Sequence, residues 1–342
     1  MTKRTPDSRV SSLLRPSRRS LLSGGGATIG AGLLSPWTVG MALAQDTGAT
    51  LENAATPWRR LNGLINRAQK LGLAAPRMSA GVVTASDDFR QVMPAIVDFT
   101  KGVERGAKGQ ADSRDVEAIL DEAADLAAEL LRKERPASAL GYGQADLPPG
   151  ARAPSFSDVK GDYETTFAKC KVRDDRRSDV NWCVKQILDN KASYQEVEDA
   201  CCVPWFAVAI IHGMECSFNF RLHLHNGASL KKKTWQVPSG RPSPWLPPSD
   251  WNSSAIDALR YDKVTDQTDW SLARTLYRWE GYNGWGTRGR GIKTPYLWSF
   301  SDQYSKGKYV ADGKWDSSAV SKQCGAAVML RVLVDKGEVG VV

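Results

Sequence analysis

From Val203 to Met214 the chain reads VPWFAVAIIHGM, twelve positions without Asp, Glu, Lys or Arg, and the run ends on Glu215. The length suits a helix, Pro204 fits a first turn where a missing N–H costs little, and the unbroken apolar surface predicts burial. Elsewhere the apolar positions recur at amphipathic helical intervals. Longer helices are predicted over Asp87 to Arg105 and Asp112 to Arg135, the second capped by Asp112 or Ser113. Shorter ones are predicted over Tyr163 to Lys171, Ser178 to Asn190, Tyr194 to Ala200, Ser254 to Tyr261, Asp269 to Tyr282 and Ser318 to Leu333. Phe220 to Ser249 loses the helical period, and five prolines between Pro238 and Pro248 exclude a long helix there. The pattern predicts a mainly α fold with one irregular or β-hairpin insertion after the apolar helix.

Composition divides the chain. Pro136 to Pro154 is rich in Gly, Pro and Ala and reads as a linker (136–154) between an Ala-rich accessory helical region (45–135) and a larger region (155–335). The larger region holds all six cysteines, all three histidines and most of the tryptophans. Ahead of both, Ser17-Arg18-Arg19-Ser20-Leu21-Leu22, a moderately apolar stretch to Val39, and Ala42-Leu43-Ala44 stand in the order of a twin-arginine signal with its cleavage box over residues 1–44. The expected location is therefore periplasmic or secreted, with no stable membrane anchor after cleavage.

Removing that segment changes the electrostatics. Its six basic residues against Asp7 account for five of the net +8, leaving +3 on the mature chain. So mild a charge does not indicate a nucleic-acid partner, yet it allows approach to an acidic wall polymer. An even number of cysteines in an exported chain permits disulfides. Cys170 and Cys183 are one pair that could bond, adjacent Cys201 and Cys202 do not readily do so, and reduced packing in the core is the competing expectation.

A lone carboxylic acid at the end of a buried helix is suited to proton transfer, because desolvation disfavours the charged form. Glu215-Cys216-Ser217-Phe218-Asn219 resembles the Glu-Ser-x-x-Asn end of the catalytic helix in goose-type lysozymes and lytic transglycosylases. Tyr282-Asn283-Gly284-Trp285-Gly286 resembles the Tyr-Asn-x-Gly segment of the same superfamily, and the stretch from about Ser155 to Leu333 is similar to bacterial lysozyme family proteins. The resemblance implies a lysozyme-like domain, Glu215 as general acid, and a β-linked glycan partner such as peptidoglycan, with no cofactor and a monomeric chain. It also implies that Tyr282 orients the glutamate or holds the sugar. Cys216 stands where the family has a small Ser or Gly, and no Gly-Leu-Met-Gln signature is present, so hydrolysis and anhydro-forming cleavage both stay open.

Asp250 and Asp257 are candidates for a second acid, which a hydrolase uses to activate water and a lytic transglycosylase does without. His223, His225, Asn226, Trp235, Tyr282, Asn283 and Trp285 are candidate substrate contacts, the rings because sugars stack their C–H faces on aromatics. Trp245 and Trp251 are further stacking candidates. Three other functions fit the same residues less well: hydrolysis of chitosan or another β-glucan, a zinc hydrolase with His212, His223 and His225 as ligands, and a non-catalytic glycan-binding module. The histidine spacing matches no H-E-x-x-H pattern.

Overall fold

Three helices open the described part of the chain: α1 (Pro57–Lys70), α2 (Phe89–Gly106) and α3 (Arg114–Glu134), each packed on the other two. The computed structural model describes residues 56–73, 88–107, 114–134, 153–235, 238–244, 250–311 and 314–340. The twin-arginine segment, nearly all of the 136–154 linker and Trp245 lie outside them. Helix α1, not among the helices expected from periodicity, starts on a local signal: the Thr56 side chain accepts from Arg59 N, and Pro57 occupies the first position.

The larger region contributes α4 (Phe156–Lys169), α5 (Arg177–Asp189), α6 (Lys191–Cys201), α7 (Trp205–Cys216), α8 (Trp251–Tyr261), α9 (Leu272–Asn283), α10 (Pro295–Trp298) and α11 (Ala326–Asp335). The fold is mainly α, as the pattern predicts. Helix α7 is its axis: every residue from Ala207 to Cys216 is buried, with α5, α6 and α11 packed against it. One hydrophobic core runs from Leu61 to Val339 and includes the accessory helices.

The insertion after α7 takes the irregular one of its two expected forms, and one helix start needed correction. The strand pair, β1 (Lys308–Ala311) against β2 (Lys314–Asp316), lies far downstream of the proline-rich segment. It is antiparallel, with Tyr309 opposite Trp315 and the two rings in edge contact at 5.2 Å. After α7, the described residues show one isolated bridge, Leu222 to Ser229. The helix expected from Ser318 begins only at Ala326. Asp316 takes the backbone N–H groups of Ser318 and Ala319, turning the chain away from a helix, and Gly325 is the N-cap.

The accessory helices reach the loop that follows α7. Arg221 pairs with Glu104 of α2 and Glu117 of α3, both at 3.0 Å, while Lys231 pairs with Asp125. Partly exposed pairs of this kind stabilise by little individually, but together they fix the register of α2 and α3 against residues 221–231. All six thiols are free; Cys202 is exposed and the other five are buried. Among the described residues, no single helix is long and apolar enough to cross a membrane.

Candidate functional site

The position of Glu215 is set by how α7 ends. A helix leaves its last four carbonyls without intrahelical partners, and burial makes unsatisfied ones costly. Here Ser217 and then Phe218 adopt left-handed conformations (φ 49° and 63°), and Ser217 N bonds back to Gly213 O at 3.1 Å. The side-chain amide of Gln323 donates to Met214 O at 2.6 Å and to Gly213 O at 3.3 Å. The reversal swings the Phe218 ring over Gly213, where a Cβ would meet the ring at 2.4 Å, so position 213 has no room for a side chain. On the other side Gly227 (φ 70°) lies against the backbone oxygen of Glu215, with 3.3 Å to a would-be Cβ.

Held this way, Glu215 is 5% exposed, and its Oε1 accepts from the Tyr296 hydroxyl at 3.1 Å. Tyr296 sits on α10, whose start is fixed by Pro295 and by Thr294 accepting from Tyr296 N. Tyr282, to which the resemblance gave the orienting task, is buried and accepts from Gln267 at 2.8 Å. Sequence reading missed Tyr296 as a site residue, although Thr-Pro-Tyr is a legible helix start. It also missed Gln323, for which no local signal exists.

Each imidazole has its own partners. Nδ1 of His212 bonds the Tyr194 hydroxyl at 3.0 Å, inside a cluster with Phe220 and Trp251, and burial pushes its pKa down to about 3. His223 donates from Nε2 to Lys232 O at 2.8 Å, so its Nδ1 accepts from Ser254 at 2.7 Å; burial lowers its pKa. His225 lies 2.7 Å from Asp257, which also accepts from Arg241. Burial pushes His225 down to about 4 against the pull of Asp257, so the neutral ring donates from Nε2. The three rings do not converge, and no group of three His, Cys, Asp or Glu among the described residues is arranged to hold a metal.

The other candidates divide by burial. Asp250 is the exposed N-cap of α8, accepting from Ser253 N at 2.6 Å and from its hydroxyl at 3.0 Å. Asp257 anchors His225 and Arg241, tying the 238–244 loop to α8. Asn226 accepts from Ala228 N in the turn beside Glu215, and Asn283 reaches Thr294 at 3.4 Å. Trp285 is core, tilted on Tyr277 at 4.8 Å, and Trp251 is buried against His212. Trp235 is 56% exposed, with Arg132 5.8 Å from its ring centre, and it keeps a face open for stacking.

Glu280 is a second buried carboxylate, which sequence reading passed over. It receives two hydrogen bonds from Arg288, at 3.0 and 2.9 Å, and one from the Tyr163 hydroxyl. The signal was an acid on the apolar stripe of α9, with Ala273, Leu276 and Trp279, eight residues before an arginine.

Phe218 to Arg221, but not Glu215 itself, line a cavity of about 560 Å³. Asn219 and Phe220 face Lys101 and Glu104 of α2 and Lys185 and Asp189 of α5 across it. Its lining mixes hydrogen-bonding groups with the Trp182 and Phe218 rings. No family model, no curated protein and no solved structure matches the chain.

Proposed function

We propose that this chain is an exported, lysozyme-like glycan-cleaving enzyme with Glu215 as general acid and peptidoglycan as the substrate that fits best. The observation that carries the reading is the Glu215 carboxyl group, buried at the end of an apolar helix and held through Oε1 by the neutral Tyr296 phenol. In this mechanism Glu215 gives its proton to the glycosidic oxygen as the C1–O bond breaks through an oxocarbenium-like transition state. The carboxylate then takes a proton from the group that attacks C1. If that group is water, the product has a reducing end. If it is the sugar's own 6-hydroxyl, the product is an anhydro sugar. Tyr296 keeps the carboxyl oriented through both halves of the cycle.

Support for a glycan comes from the polar and aromatic lining of the cavity beside Asn219 and from the open ring of Trp235. Chitosan fits the same chemistry. The zinc reading has less support, because both nitrogens of His223 are hydrogen-bonded, to Lys232 O and Ser254, and no three His, Cys, Asp or Glu among the described residues are grouped to hold a metal. A binding module would have no use for a buried acid at this position.

The test is incubation of the mature protein and of Glu215→Gln with peptidoglycan and with chitosan, followed by mass spectrometry of the soluble products. Fragments from the unmodified protein alone are expected, and a difference of one water distinguishes hydrolytic from anhydro ends. Intact polymer in every reaction would reject the reading.

A further inference from the structure

Cys183 of α5 and Cys324, just ahead of α11, line one cavity of about 240 Å³, and their thiols are hydrogen-bond partners. The helices that carry or follow them pack together. Both residues are nearly buried, Cys183 at 9% and Cys324 at 3% exposed, and Cys170 at the end of α4 is the third thiol of the cluster. The segment around Cys324 also touches both sides of the candidate site. Gln323 caps the carbonyls of Gly213 and Met214, the two residues before Glu215. Gly325 N bonds Ser299 O at 3.0 Å, and its Cα lies so close to Leu297 that a Cβ would meet the carbonyl oxygen at 2.3 Å. Leu297 is the neighbour of Tyr296.

We propose that Cys183 and Cys324 form a redox pair whose disulfide staples α5 to the Gln323–Gly325 segment, pinning the two elements that hold Glu215 and Tyr296 together. The oxidant is a small-molecule disulfide. The Cys183 thiolate attacks one of its sulfurs, breaking the S–S bond and releasing one thiol. Cys324 then attacks the mixed disulfide at the Cys183 sulfur and releases the second thiol. Two protein thiols become one disulfide as the incoming disulfide is reduced to two thiols, and the protons leave with those products. Cys183 is the more accessible entry point; burial keeps Cys324 a thiol, so its attack comes second, where the mixed disulfide holds the target sulfur beside it. Lys322, Asp179 and Arg90, the last paired with Asp88, line the same cavity, and oxidised glutathione serves as the disulfide probe. The link closes a loop of about 140 residues, a length at which a cross-link constrains the unfolded chain strongly. Nothing in this proposal depends on glycan cleavage.

The experiment treats the mature protein with oxidised glutathione or with a reductant, alkylates it under denaturing conditions, and reads intact mass and cross-linked peptides. The oxidised sample should take two alkylations fewer, yield one peptide pair joining Cys183 to Cys324, and melt roughly 10 °C higher than the reduced one. Cys183→Ala should abolish the link, whereas Cys202→Ser should keep it. Six alkylatable thiols after oxidation, or a link from Cys170 to either partner, would overturn the proposal. The mapping on the unmodified sequence decides the matter even if a cysteine variant folds poorly.

Discussion

Glu215 and Glu280 are the same side chain at nearly the same depth, 5% and 1% exposed, each within the last turn of a helix. At both positions the helix dipole disfavours a negative charge. Their partners differ. Glu280 is clasped by both edges of the Arg288 guanidinium and by Tyr163, with Asp162 balancing the far side of the arginine. Burial alone would lower the pKa of Arg288, but its hydrogen bonds to Glu280 carry it up; burial and the Glu280 charge together raise Tyr163. Glu280 ties α4, α9 and the Gly-rich turn together. At Glu215 the Tyr296 hydroxyl donates to Oε1, a hydrogen bond compatible with the proposed proton transfer. Burial alone therefore says little about an acid's role.

The comparison can be broken most severely at the two acids. Glu215→Gln should lower cleavage by ~10²–10⁴-fold while leaving thermal unfolding close to that of the parent, since the amide keeps the Tyr296 hydrogen bond. Glu280→Gln should do the reverse. It weakens the pairing of a half-buried guanidinium that Asp162 still holds, and should destabilise by about 1–3 kcal/mol, read in urea unfolding, with the remaining folded protein still active. Gly213→Ala comes next: the new methyl must displace the Phe218 ring, at about 1–3 kcal/mol, and the shift should reach Glu215 as a loss of activity. Tyr296→Phe should cost roughly tenfold in kcat with KM nearly unchanged, because one hydrogen bond of orientation is lost while the ring stays packed.

A separate effect concerns pH. His212 and His225 titrate in the folded chain at about 3 and about 4, below their ordinary value of 6.5. As the pH falls below about 6.5 the unfolded chain binds protons first, so their contribution to stability is full above that point and is lost progressively toward pH 4. Melting temperatures should fall across this window, and His225→Gln should flatten the slope while Asp257 remains paired with Arg241. A flat profile from pH 7 to pH 4.5 in the unmodified protein would contradict the burial argument.

What the sequence reveals follows from the range of the interactions involved. The apolar run before Glu215 is legible because a helix packed on all sides needs no polar face, and most helices were visible by period. Their ends were less so, since Gly325 begins α11 only because Leu297 approaches it, 28 positions away in the chain. The residues that position Glu215 were hidden for the same reason. Tyr296 and Gln323 come from segments about 80 and 110 residues distant, and neither carries a pattern that points back to α7. The strand pair was missed although Asp312-Gly313 between Tyr309 and Trp315 is a recognised hairpin signal. The histidines misled by clustering in sequence: neighbours along the loop face Ser254 and Asp257 separately, and His212 points into the aromatic core.

The most direct test sets the two acids side by side. Glu215→Gln and Glu280→Gln would be compared with the parent for peptidoglycan cleavage per folded molecule and for unfolding free energy in the same buffer. The account predicts an inactive, stable Glu215→Gln and a destabilised Glu280→Gln that still cleaves; a Glu215→Gln that cleaves at the parent rate would contradict it.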